Sequence, residues 1–279
     1  MEEGFGYYCK KKVAYKYRAF EDNPYTKALL EKGEVFFSPP ILFNDLYDTR
    51  LPVSSTNKIK IEQMAKAIEN RRKNDIAIFC LSEVSDSIPM WTYYGDNNAG
   101  ICIGIRLDRM DNGYYGLKLR NGEVVLTEES PFEPVPAYQV HYNRAIPPYM
   151  SLDTDERNIK SGFEFLFNKP KQLEHEREIR VVVSRKFSKI EWAKEDFNGI
   201  VYHLDTGVIE SICLGPSFNL LNLNEIKELI YSSDTACSGA KLYMMVPDMK
   251  YYRYDKKEIP YDCIDRFQEY MIAEYARIH

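Results

Sequence analysis

Apolar positions recur mostly in short runs or in alternation, and only a few stretches carry the three-to-four-residue spacing of a helix. Strands are predicted over Val13–Tyr17, Val35–Ser38, Gly100–Leu107, Ala137–Tyr142, Gly199–Leu204, Val208–Leu214 and Lys241–Val246. Ile76–Ser82 (IAIFCLS) and Glu178–Ser184 (EIRVVVS) are continuous apolar runs of the kind that fill a buried central position. Asn121-Gly122 between Tyr114–Leu119 and Val124–Leu126 is a strong hairpin signal, and Asp205-Thr206-Gly207 marks another turn. Asn23-Pro24 supplies a cap and a first-turn proline for a helix over Tyr25–Lys32, closed by Gly33. Helical spacing also appears over Lys58–Arg72 (Ile59, Ile61, Met64, Ala65, Ala67, Ile68), Asp155–Asn168 (Phe163, Phe165, Leu166, Phe167), Leu223–Tyr231 and Asp262–Ile278, with a single turn at Pro89–Tyr94. After Pro39-Pro40, Ile41–Thr49 reads as an ordered loop. Strands outnumber long helices and there are no repeats. The expected fold is α+β: a single mixed domain with a largely antiparallel central sheet and peripheral helices.

At 279 residues the chain has length enough for a full core without staples, and 44% apolar with 28% charged residues is an ordinary globular composition. No apolar run approaches the roughly 18 residues of a membrane helix, and the N-terminal residues do not have the pattern of a signal peptide. Six scattered cysteines without a C-x-x-C pair suit buried thiols in a reducing cytoplasm. The net charge of −5 argues against a dedicated non-specific nucleic-acid binder, although Lys10–Lys12, Arg71–Lys73 and Lys250–Lys257 could form a local basic strip. The 22 tyrosines suit a wet cleft, or reflect a compositional bias.

Four clusters carry candidate chemistry. In Tyr15-Lys16-Tyr17-Arg18, alternation separates the tyrosines from the cations, and Arg18 at a strand end can hold a phosphate; a solvated edge is the plainer reading. Phe43-Asn44-Asp45-Leu46-Tyr47-Asp48 is a ligand-facing loop or a structural Asx-turn. Met90-Trp91-Thr92-Tyr93-Tyr94 is an aromatic turn that stacks a flat ring or plugs the core. In Glu174-His175-Glu176-Arg177-Glu178-Ile179-Arg180, strand spacing puts Glu176, Glu178 and Arg180 on one face, as acid/base machinery or as salt bridges at a strand start. No zincin, Walker, dinucleotide or nucleophile-elbow motif is present.

Taken in order, Tyr15–Arg18, Gly33, Phe37-Ser38, Phe43–Asp45, Cys80, Ser82-Glu83, Met90-Trp91, Tyr94, Gly100 and His175–Arg180 resemble a bacterial family known as domain of unknown function 2971. The resemblance spans roughly residues 13–215, with Leu46 where the family has Pro and Asp48 keeping its acid. It implies a core over 1–215, with 216–279 a helix-strand-helix extension on the same domain. A looser similarity is to the split-sheet ADP-ribosyltransferase fold. That likeness implies NAD as substrate, Glu178 as catalytic carboxylate and Glu176 orienting the acceptor. It also implies Tyr17 or Arg18, Ser38, Ser82 or Tyr93/Tyr94, and Trp91 around the nucleotide, with Asn44, Asp45 and Arg180 as further binding candidates. Enzymes of that class are often toxins or phage-defence effectors that modify nucleic acid or protein, so a defence-system partner is a further expectation. Physically, a carboxylate on the ribose would stabilise the positive charge that builds as the nicotinamide leaves. Two alternatives stand beside it. One is a metal-dependent nuclease using Asp45, Asp48, Glu176 and Glu178, with Arg180 on a phosphate. The other is a non-catalytic sensor or protein-interaction domain. Neither a membrane partner nor a resident metal is expected under the leading reading.

Overall fold

The structure, a computed structural model, describes residues 7–50, 53–120, 134–146, 150–152, 165–184, 199–267 and 269–270. In chain order it runs β1 (Val13–Arg18), α1 (Pro24–Lys32), β2 (Glu34–Phe37), β3 (Val53–Ser54), α2 (Lys58–Asn74), β4 (Ile76–Ser82), α3 (Ile88–Tyr93), β5 (Ile101–Arg106), β6 (Asp108–Arg109), β7 (Tyr115–Leu117), β8 (Val135–Gln139) and β9 (His141–Asn143). It continues with β10 (Met150–Ser151), β11 (Asn168–Pro170), β12 (Glu178–Ser184), β13 (Ile200–His203), β14 (Ile209–Leu214), α4 (Leu223–Tyr231), β15 (Lys241–Pro247) and β16 (Tyr254–Ile259). The fold is mixed α and β on a largely antiparallel central sheet, the class that the patterning predicts.

Local chemistry explains the best-predicted elements. The Asn23 side chain accepts hydrogen bonds from the Tyr25 and Thr26 amides, Pro24 opens α1, and Gly33 ends it at φ 75°. Asn57 caps α2 in the same way through the Ile59 and Lys60 amides. Of the α2 pattern, Ile61, Met64 and Ile68 are half-buried and Arg72 is buried, while Ile59, Ala65 and Ala67 face solvent. The sparse glycines of 95–104 have steric reasons. A Cβ on Gly100 would lie 2.2 Å from the Arg18 carbonyl oxygen, and one on Gly104 equally close to Ser211 Oγ.

The chain divides into two compact units: residues 1–14, 34–83 and 107–205, and residues 15–33, 84–106 and 206–279. In the first, β12 lies between β4 and β8, antiparallel to both, and β8 continues through β7 to β6. Smaller ladders join β2 to β13, β9 to β11 and β3 to β10. A core cluster of Ile76, Ile78, Tyr138, Phe165, Leu166 and Phe167 packs there. In the second unit, β15 pairs with β14 and β16, and β14 with β5. Its core holds Tyr17, Met90, Trp91, Cys102, Cys213 and Met245, and α4 buries Leu223, Ile226, Leu229 and Ile230.

Several expectations change. Ala137–Tyr142 is two strands because residues before Val140 pair with β12 and residues after it pair with β11. Residues 165–168 are not α-helical: Phe165–Phe167 form a 3-10 turn and Asn168 starts β11. Three consecutive buried side chains cannot share one helix face at about 3.6 residues per turn. The segment after Pro260 opens as a 3-10 turn over Tyr261–Arg266, where a helix from Asp262 is predicted. β16 escapes the patterning, since YDKKEI has few apolar positions to alternate. β13 and β14, though joined by the Gly207 turn, pair with other strands. The Val124–Leu126 strand and its Asn121-Gly122 turn, residues 153–164 of the Asp155–Asn168 helix, and residues 271–279 of the last helix lie outside the described residues. Among the described residues no helix is long and apolar enough to cross a membrane.

Candidate functional site: a buried ionic cluster

The site begins with the loop after the two prolines. Pro40–Leu42 make one 3-10 turn, and Asp45 then forms an Asx-turn, its Oδ1 accepting the Tyr47 amide at 2.9 Å. The Asp45 carbonyl accepts the Asp48 amide at 3.2 Å, and the Asp48 side chain is buried. Thr49 follows at φ 53°, a region a β-branched residue occupies only when its surroundings force it. Arg72, the one buried residue of α2, supplies that force. Its Nε donates to Thr49 Oγ1 at 3.1 Å and its Nη2 to the Pro40 carbonyl at 3.0 Å.

The other wall comes from β11, the 3-10 turn Lys171–Glu176, and β12. Arg177 stands between turn and strand at φ 44°, ψ 51°, so Glu176 belongs to the turn and does not share the strand face of Glu178 and Arg180. The junction is fixed from both sides. Ser82 Oγ donates to the Glu176 carbonyl at 2.7 Å, and the Glu83 amide donates to the Arg177 carbonyl at 2.8 Å. The Glu178 amide donates to Tyr142 Oη at 2.8 Å. In the β12–β4 ladder Glu178 lies directly opposite Ser82, and Arg180 opposite Cys80.

Five side chains meet in the interior. Arg180 is fully buried and grips Asp48 with two parallel bonds, Nη1 to Oδ1 at 2.8 Å and Nη2 to Oδ2 at 2.6 Å. Its Nε reaches Glu178 Oε1 at 2.9 Å and its Nη2 reaches Oε2 at 3.0 Å. Nη1 also donates to the Leu166 carbonyl, and the Phe43 ring lies 5.5 Å away. Lys169 Nζ bonds to Glu176 Oε2, to Glu178 Oε2 at 3.1 Å, and lies 3.6 Å from Asp48 Oδ2. Burial alone would raise the Glu178 pKa, but the Arg180 and Lys169 charges outweigh it and hold it at about 2. For Lys169 and Arg180, burial favours the neutral form, and the surrounding carboxylates overcome it and raise both. Glu178 is therefore a permanently ionised, immobilised carboxylate at the mouth of a strand. Lys169 Nζ occupies the point on which Asp48, Glu176 and Glu178 converge.

Of the predicted site residues, the structure brings Glu176, Glu178 and Arg180 together. Ser38 lies at the end of β2, bridged to Ile78, with its hydroxyl turned toward the Pro39 carbonyl. Asn44 is exposed and Asp45 serves the Asx-turn. Tyr17, Arg18, Trp91 and Tyr94 belong to the second unit. There Tyr17 Oη donates to the Val84 carbonyl at 2.9 Å, and its ring meets Trp91 edge-on. Trp91 is fully buried with Nε1 on the Ser85 carbonyl at 2.8 Å, so the ring plugs the core and offers no open face for stacking. Tyr94 follows α3 and is exposed. Arg18 has a buried Nε with no hydrogen-bond partner, and burial lowers its pKa. Sequence reasoning missed Lys169, Tyr142 and Arg72 as parts of the cluster. None sits in a motif, whereas Asp48 stood out as the last residue of the Phe43–Asp48 loop and among the carboxylates of the nuclease reading. Comparison with protein-family models, with curated proteins and with solved structures returns no match.

Proposed function

We propose that the chain is an ADP-ribosyltransferase-like enzyme that takes NAD as substrate, with Glu178 as its catalytic carboxylate and kinship to the 2971 family. The observation that carries this reading is the pairing of an ionised, clamped Glu178 directly across the ladder from Ser82. The resemblance gives Ser82 and Glu178 roles in one nucleotide site, and the two residues are cross-strand partners. A fixed negative charge is what a ribose gaining cationic character needs, and it is effective because it does not reorganise. In this reading Arg180 and Lys169 are positioning residues that hold the carboxylate in place. Glu176 steadies Lys169 in addition to any contact with an acceptor.

A second reading has a specific observation in its favour. The charges of the cluster satisfy one another, as in an ionic core that builds a non-catalytic binding module. The nuclease alternative is weaker, since an internal ammonium stands where the carboxylates would hold a divalent ion.

Thermal melts with NAD and, separately, with Mg²⁺ on wild type and Glu178→Gln separate these readings. At NAD about one hundred times its Kd, binding to the folded state should raise the melting point by roughly 5–10 °C. Nicotinamide release should follow in the wild type and be lost in Glu178→Gln. No NAD shift sinks the transferase reading. A Mg²⁺ shift alone, abolished by Asp45→Asn, restores the nuclease, and no shift with either leaves the binding module.

A further inference from the structure

The β15–β16 hairpin ends in a tip that neither core nor cluster explains. Residues 248–253 read Asp-Met-Lys-Tyr-Tyr-Arg, between Pro247 and its cross-strand partner Tyr254. Their large side chains point outward: Tyr252 is wholly exposed, and Met249 and Tyr251 are mostly so. The loop beneath them is tightly tied. Asp248 Oδ1 accepts the Lys250 amide at 2.8 Å and the Tyr251 amide at 3.1 Å. Asp248 Oδ2 takes Arg253 Nε at 2.9 Å, and the Asp248 amide donates to the Arg253 carbonyl at 3.0 Å. Lys250 Nζ and the Arg253 guanidinium each lie 5.3 Å from the centre of the Tyr251 ring. Around the tip the charge is opposite to that of the whole. Residues 248–257 carry four cations against two acids in a chain of net −5.

Lysines on an edge strand discourage strand-to-strand aggregation, and β16 is an edge strand, so Lys256 and Lys257 have a plain explanation. Tyr252 has none. A solvated aromatic ring on a pre-formed loop loses little freedom when it binds. We infer that the hairpin tip binds single-stranded nucleic acid, with Tyr252 stacking on an unpaired base and Lys250 meeting a phosphate. Stacking tolerates any base, because every base has a π-face, and the cations track the backbone between them. Single strands fit better than duplexes, whose bases are already stacked on one another. A membrane surface fits less well, since Met249 is the only aliphatic side chain at the tip.

The inference does not depend on Glu178 or NAD, and its test uses neither. The probe is a fluorescein-labelled oligo(dT) of about 12 nucleotides, within the usual span of such sites, followed by fluorescence anisotropy on the full chain. Binding is expected, and Tyr252→Ala should weaken it about 5- to 150-fold with an unchanged melting temperature. Lys250→Gln should lower the slope of log K against log salt by about 0.7. No binding by the wild type overturns the inference, and so does equal affinity in Tyr252→Ala. Equal affinity for a duplex of the same sequence overturns the stacking role. Binding to phosphatidylserine-containing vesicles without binding to the oligonucleotide would assign the tip to a membrane instead.

Discussion

Arg180 uses all five of its N–H groups: two on Asp48, two on Glu178 and one on the Leu166 carbonyl. A lysine cannot reproduce that fork, so the choice of arginine follows from the geometry. The same contacts make the Glu178 carboxyl a source of pH-dependent stability. Its pKa falls from 4.5 to about 2 on folding, so the folded state favours the ionised form. The contribution is fully present above about pH 4.5 and is lost as the pH drops toward 2. Denaturant unfolding of the wild type is expected to show this loss between those pH values. Glu178→Gln should flatten that part of the profile, and an unchanged profile would mean that the carboxylate is not held as described.

At the scale of elements, the turn into β12 stores strain in a residue without a glycine's freedom. Arg177 sits at φ 44° and its half-exposed ion pair with Glu83 contributes little. Arg177→Val, which keeps a side chain and adds β-branching at that φ, should be less stable than Arg177→Gly by about 1–3 kcal/mol. Both lose the same ion pair, so the difference in unfolding midpoint reports the backbone alone. Elements with local causes were legible: the caps at Asn23 and Gly33, and the apolar runs that became β4 and β12 at their predicted bounds. Elements set by distant partners were not. Val140 splits a predicted strand because its two sides pair with different neighbours, and β16 is an edge strand with little apolar face to show. The site divides in the same way. Glu178 and Arg180 stood out as charges entering an apolar strand. Lys169 joins them only because β11 pairs with β9, placing Tyr142 beside it in register. Trp91 shows the opposite case: rarity in the sequence drew attention to a side chain whose place is in the core.

At the scale of the whole molecule, the thiols report how closed the structure is. All six cysteines are free, four of them buried, with Cys80 and Cys263 half-buried. Burial pushes the thiols of Cys9, Cys213 and Cys237 up to about 11 and raises Cys102 as well. A thiol-counting reagent at neutral pH should therefore find at most two fast groups in the native protein and all six in denaturant. More than two fast groups would mean that one of the cores opens readily. The order in which the chain supplies its parts matters too. The two units interleave, and the chain passes from one to the other five times. Asp48 and the guanidinium that neutralises it are 132 residues apart in sequence. At synthesis rates of about 5–20 residues per second, the acid emerges from the ribosome on the order of ten seconds before its partner exists. During that interval the nascent segment must keep a carboxylate in water that the finished fold will seal away, so this part of the molecule can close only after β12 has been made.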